Sequence, residues 1–250
     1  MTGEELRQAR AARWAELRPA EVSADALHAW VRNLGFVTLP TLAEWSEAAP
    51  EMLERELGEL RLIELYLWPG VHRYAAAELL EFVYVCVGDR NPRRDFKKQA
   101  GQGRLSWLAA EVYEYLLQHP RSRTSLELRD AMGAARTSVL GIERALAELA
   151  ATLKVLRVGG NRWRALAQAL PEVPAAIDRI SQLEAAAALV SQYLDVMVCD
   201  TEESIAAFFS PLLSRSRVRD AVNGLEVRRE LRLESLEGRP ALRLAARPTP

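Results

Sequence analysis

The feature that most constrains this chain is a pattern that occurs twice between residues 104 and 246. Each time a one-sided helix is followed by a short helix, a third helix and a β-hairpin. In the first copy Leu105, Leu108, Val112, Tyr115 and Leu116 recur at spacings of three and four, the stripe of a helix packed on one side. The stripe stops at Gln118-His119-Pro120, because proline cannot continue it. Thr124 or Ser125 can then cap a short helix over 125–132, which Gly133 terminates. A third helix is predicted over 136–151, with Val139, Ile142, Leu146 and Leu149 on its apolar face. Strand-like residues 153–158, a Gly159-Gly160-Asn161 turn and residues 162–166 complete a hairpin.

The same order returns about 75–80 residues later, and order at a fixed period is stronger than any single helix assignment. Residues 183–198 read as a helix, and Thr201-Glu-Glu-Ser204 as the capped start of a short one over 205–209. A third helix spans 214–223, and 227–234 with 240–244 form the hairpin around Leu236-Glu237-Gly238. Helix, short helix, helix, hairpin is the winged-helix arrangement. The fold class is therefore mainly α with small β-hairpins, built of tandem winged helix-turn-helix units. The expected boundaries are a helical extension over 1–19, a winged-helix-like unit over 20–103, a middle winged helix over 104–170 and a C-terminal one over 175–246, with Pro171-Glu-Val-Pro174 as linker. Within 20–103 the pattern predicts helices at 24–34 and 51–67, broken by Trp68-Pro69-Gly70. Residues 74–87 read equally as helix or strand.

Charge neither requires nor excludes a polyanionic partner. The chain has 33 basic and 34 acidic residues, a net charge of −1, whereas nucleic-acid binding favours a basic domain. The charges are segregated, however. Residues 41–60 are rich in glutamate with Arg55 alone against them, and 90–104 carry Arg90, Arg93, Arg94, Lys97, Lys98 and Arg104 against Asp95. Such segregation can present a basic face on a near-neutral protein. No apolar run approaches the roughly 18 residues of a membrane span, the first residues lack a secretory apolar core, and Cys86 and Cys199 read as buried free thiols. A cytoplasmic location with no membrane contact is expected.

The candidate DNA contacts lie off the apolar stripes. On the third helix of the middle unit these are Arg136, Thr137 and Arg144; on its wing, Asn161, Arg162 and Arg164; on the last third helix, Arg215, Arg217 and Arg219. Arginine and threonine near the start of such a helix suit phosphate and base-edge contacts, although exposed arginines also serve simply to solvate a surface. His28, His72 and His119 have no metal-ligand spacing. Neither Gly101-Gln-Gly103 nor Gly159-Gly160 matches a phosphate loop. No cofactor and no metal is expected. The aromatic cluster Trp68 to Tyr74 can line a pocket or pack a turn on the core.

With the stretch Asn33-Leu-Gly-Phe-Val-Thr-Leu-Pro-Thr-Leu-Ala-Glu-Trp45 added to the helix-hairpin repeats, the chain over about 20–246 resembles the AlkZ (YcaQ-like) family, and more closely that family's winged-helix relatives without characterised activity. AlkZ enzymes are DNA glycosylases of three tandem winged helices that excise alkylated or crosslinked bases. The resemblance implies double-stranded DNA as partner. The family places a Gln-x-Gln or Gln-x-Asp pair, which activates the attacking water, soon after a Leu-Gly-aromatic turn. Here Leu34-Gly35-Phe36-Val37 leads into Thr38-Leu39-Pro40, and neither Thr38 nor Pro40 has a basic side chain. Gln8 lies too early to substitute. The resemblance therefore implies no catalytic residue at that site and a protein leaning away from catalysis. Two alternatives stay open: a glycosylase in which Glu44 serves as base with Trp45 beside it to stack on a nucleobase, and a scaffold that binds a protein partner through the winged helices.

Overall fold

The computed structural model describes residues 1–245; Ala246, the last residue expected in the C-terminal unit, lies outside them. The fold is mainly α with small antiparallel hairpins, as its sequence implies. Helix α1 (Gly3–Leu17) opens on a capping box in which Thr2 and Glu5 each satisfy the other's backbone N–H. Helices α2 (Ala24–Leu34), α3 (Leu39–Trp45) and α4 (Ala49–Gly58) follow, then strands β1 (Leu62–Trp68) and β2 (Val71–Ala76), and helices α5 (Ala77–Val87) and α6 (Pro92–Gly101).

Two expectations for this region are corrected. The helix predicted over 51–67 ends at Gly58, and residues from Leu62 onward form a strand. Glu59-Leu60-Arg61 turns the chain, with Leu60 at φ 57°. Strand β1 is buried on both faces at Leu62, Ile63, Glu64 and Leu65, so it lacks the alternation that separates strand from helix. Trp68-Pro69-Gly70, read as a helix break, is the hairpin turn. The ambiguous 74–87 stretch divides at Ala76 into strand and helix, and Phe82–Val85 are helical.

The middle repeat comprises α7 (Trp107–Gln118), β3 (Arg123–Thr124), α8 (Ser125–Met132), α9 (Val139–Ala150), β4 (Val155–Arg157) and β5 (Arg162–Ala165), with sheet order β3-β5-β4. Its third helix starts at Val139 rather than at 136, because Ser138 is the cap and accepts from the Gly141 amide. The stretch expected as a plain linker is helical in part: α10 (Leu166–Ala169) and α11 (Glu172–Ala175) lead into a 3₁₀ turn. The last repeat comprises α12 (Gln182–Met197), α13 (Glu202–Phe208), α14 (Arg215–Val227), β6 (Leu231–Leu236) and β7 (Arg239–Leu244). Helix α14 extends through Val227, which the sequence placed in the hairpin.

The same connectivity occurs three times: long helix, two further helices, then a hairpin. In each repeat the segment after the first helix pairs with the hairpin's second strand. The pairs are Val37 with Tyr74, Arg123 with Trp163, and Asp200 with Leu242. That one pairing sets the second and third helices against the hairpin in every copy.

The repeats share apolar surface. The largest cluster joins Ile63 and Leu65 of β1 and Leu80 and Val83 of α5 to Leu189, Phe209 and Leu225 of the last repeat. A polar seam joins the first two repeats. Glu64 of β1, only 5% exposed, accepts from the Arg157 guanidinium of β4, from Tyr74 Oη at 3.2 Å, and pairs with His72 Nδ1 at 3.0 Å. Arg157 also reaches Glu54 of α4 at 2.7 Å. Burial, then the neighbouring charge of Glu64, pushes the Tyr74 phenol up to about 12. Trp68 packs edge-on against Phe36 on the core side of its turn, and Arg73 lies over the Trp68 and Phe208 rings, 5.0 and 4.7 Å from their centroids. This cluster packs a turn on the core. Cys86 and Cys199 are buried and free. Among the described residues no helix is long and apolar enough to cross a membrane.

Candidate nucleic-acid interface

Helix α14 begins with the sequence Ser214-Arg-Ser-Arg-Val-Arg219. Ser214 Oγ accepts from the Arg217 amide and fixes the first turn. No acid stands in that turn, although the positive end of a helix dipole favours acids and disfavours arginine. Val218, Ala221, Val222 and Leu225 bury the inner face, which leaves Arg215 and Arg217 exposed. Neither has a carboxylate within ion-pair distance among the described residues, while Arg219 reaches Glu202 at 3.3 Å. The start of α14 contrasts with that of α13, where Glu202 and Glu203 occupy the first turn.

The start of α9 is similar in chemistry and different in detail. Its first turn also lacks acids. Arg136 and Thr137, expected on the helix, instead lie in the turn before it, where the Arg136 amide donates to the Gly133 carbonyl at 2.8 Å. Arg136 is exposed and Thr137 half-buried. Arg144 is exposed on the outer face of α9, opposite Ile142, Leu146 and Leu149. Arg136 and Arg144 form no ion pair among the described residues.

The wing of the middle repeat lies against the first repeat. Its Gly159-Gly160 turn packs on α4. A Cβ at Gly159 would lie 2.7 Å from the Glu54 carbonyl oxygen, and Gly159 has φ 71°, so only glycine fits. The Gly160 amide donates to the Glu54 carboxylate at 2.9 Å. Asn161 is exposed at the turn with φ 56°. Arg162 donates to the Ser122 carbonyl at 2.9 Å and pairs with Glu127 at 3.2 Å. Arg164 is half-buried, donates to the Gln168 carbonyl at 3.4 Å, and keeps a buried Nε with no partner.

Docking the wing creates a cleft of about 470 Å³ between the first two repeats, lined by Arg121, Ser122, Arg162 and Arg164 with Gly58 and Val158. Three guanidinium groups around one concavity can hold an anion with several oxygens. Arg121 was missed in sequence. Its signal was weak, one of two arginines in Pro120-Arg-Ser-Arg-Thr124, and only the pairing of β3 with β5 brings that segment beside Arg162 and Arg164.

Thr38 and Pro40 stand at the start of α3. Thr38 is the N-cap residue, but its Oγ1 bonds to Thr41 Oγ1 at 3.0 Å and caps no amide. Pro40 is exposed. Glu44 is exposed on α3. Trp45 does not project beside it: the ring is buried, 5.3 Å from that of Trp30, and its Nε1 donates to the Pro19 carbonyl at 3.2 Å.

No protein-family model matches the sequence, and no curated protein matches it. Among solved structures the chain is similar to the Streptomyces sahachiroi DNA glycosylase AlkZ, with a TM-score of 0.63 and 21% identity over 96% of this chain and 69% of that one. The likeness establishes the fold.

Proposed function

We propose that this protein binds double-stranded DNA as a tandem array of winged helices, and that it does so without base excision at the Thr38–Pro40 site. The observation that carries the reading is the chemistry at the starts of α9 and α14. Both first turns lack acids; Arg215 and Arg217 stand in that of α14, Arg136 precedes α9 and Arg144 lies on its second turn, all without carboxylate partners among the described residues. Arginine at the positive end of a helix opposes the dipole. Its presence there is accounted for by an anion that both the guanidinium groups and the free amides of the helix end attract. In this arrangement α9 and α14 face the duplex, and the arginine cleft at Arg121, Arg162 and Arg164 receives a backbone phosphate, with Asn161 at its edge.

Support for DNA over another polyanion comes from the fold shared with a DNA glycosylase. Support for a non-catalytic role comes from Thr38, whose hydroxyl is committed to Thr41, and from Pro40, which offers no polar side-chain atom. Both thiols are buried and unpaired, which fits the reducing cytoplasm as the place of action.

The test is affinity for a mixed-sequence duplex as a function of salt. Contacts with three to five phosphates give a log–log slope of about −3 to −4.5, from roughly 0.9 counterions released per phosphate. Binding that is absent at low salt, or that ignores salt, refutes the proposal.

A further inference from the structure

Helix α6 carries a basic face that the duplex contacts leave unused. Arg94 and Lys98 stand one turn apart on its outer side, opposite the buried Phe96 and Ala100. Arg90 and Arg93 precede them, and Arg104 follows in the turn to α7. All five are exposed, and none has a carboxylate within ion-pair distance among the described residues. The acids nearby are already engaged. Lys97 takes Glu114 of α7, Asp89 pairs with the buried Lys154 at 2.7 Å, and Asp95 accepts from the Asn91 amide at 2.9 Å. Asp95 thereby places an acid in the first turn of α6, as the helix dipole favours. The first turns of α9 and α14 have no such group. The charges of α6 therefore do not crowd an open helix start; they form a face along the helix.

An exposed indole completes this face. Trp107 is 68% exposed, although tryptophan is highly buried on average. It shares a stripe of α7 with Glu111 and Glu114, and Glu114 is the residue that meets α6. Glu111 is the one acid of that stripe without an ion-pair partner among the described residues. Ser106, beside the tryptophan, is held by α9: the Glu148 carboxylate accepts from its amide and from its hydroxyl, each at 2.6 Å. The indole thus stands on a fixed backbone, and little chain freedom is left to lose on binding.

We propose that the outer face of α6 and Trp107 dock an acidic segment of a partner protein. An apolar side chain of that segment lies against the indole, and its carboxylates meet Arg94, Lys98 and Arg104. Charge complementarity defines the segment as acidic. Tryptophan and arginine together are the composition of interface anchors, whereas a phosphate backbone supplies no apolar group for Trp107. The proposal goes beyond duplex binding and uses none of the residues assigned to it.

The experiment selects random short peptides displayed on phage against the immobilised full chain, then titrates an enriched peptide, labelled for fluorescence anisotropy, at near-physiological salt. Enriched peptides are expected to be acidic and to carry an aromatic or aliphatic residue. Arg94→Gln combined with Lys98→Gln should weaken the titrated peptide about tenfold, and Trp107→Ala about fivefold. Arg215→Gln combined with Arg217→Gln should change it less than about twofold. The substituted positions are exposed, and circular dichroism verifies that the variants fold. No enrichment, enrichment without an acidic bias, or peptides that bind the α6 and Trp107 variants unchanged overturns the proposal. A duplex affinity that falls in the α6 variant as far as in the Arg215 and Arg217 variant assigns the face to nucleic acid and overturns it as well. The peptide arm contains no DNA, so its outcome is separate from that of the duplex titration.

Discussion

The first and last repeats share one connectivity and use it in opposite ways. In the first, hairpin β1–β2 is interior: four successive residues of β1 are buried, and Glu64 sits at the junction with the middle repeat. In the last, hairpin β6–β7 lies at an edge, with Leu233 67% exposed. The third helices differ in the same sense. Helix α4 begins with Pro50 and Glu51 and gives its surface to the Gly159 turn of the neighbouring wing. Helix α14 begins with Arg215 and Arg217, both exposed, while Val218 behind them is buried. An element enclosed by its neighbours becomes scaffold, and the same element at the end of an array is free to carry a binding surface.

The largest effect that can break this comparison is in the hairpins. Glu64→Ala removes the buried acceptor shared by Arg157 and Tyr74 and leaves Arg157, whose side chain is only 13% exposed, with Glu54 alone; it is expected to cost about 3 kcal/mol. Glu234→Ala in the outer hairpin removes a partly exposed pair with Arg243 and should cost less than about 0.5 kcal/mol. Denaturant unfolding measures both, and equal losses would show that the two hairpins carry equal weight. Next come the third helices. Charge reversal at Arg215 and Arg217, both to Glu, is expected to lower duplex affinity on the order of 100-fold. Glu51→Lys on α4 should change it by less than about threefold, because that face is turned to scaffold use. Titration at fixed salt decides, and a comparable response from α4 would erase the distinction.

The smallest effect concerns the thiols. Burial pushes Cys86 up to about 11 and also raises Cys199. At about pH 8 a thiol raised from the usual 8.5 to about 11 holds roughly 200-fold less thiolate. Modification of the native protein at Cys86 should be slower by about that factor than in the unfolded chain. Native reaction at the unfolded rate would mean that α5 opens readily, and the scaffold reading of the first half would weaken.

How much was legible follows from where each stripe lies. Helix α7 shows Leu108, Val112 and Leu116 on a one-sided stripe because its other face meets solvent, and its sequence reading matches the structure closely. Strand β1 shows no stripe, since both its faces are covered, and it was read as the end of a helix. Arg215, Arg217 and Arg219 were found from spacing alone and lie at a helix start as expected. Arg136 and Thr137 fall before α9 because Ser138 caps it through its bond to the Gly141 amide. Arg121 joins the cleft only through the pairing of β3 with β5, and no local pattern encodes that contact.

By itself the sequence determined the class of fold, the order of elements in the two later repeats, and the arginines at the start of α14. Helix periodicity, capping and turn chemistry are short-range, and they act on residues within one turn of each other. Tertiary structure decided which residues of the first third make its hairpin, that the middle wing packs on α4, and that Trp45 is buried against Trp30. Those outcomes depend on which surfaces of distant segments bury one another, and burial on two faces removes the alternation from which a sequence is read.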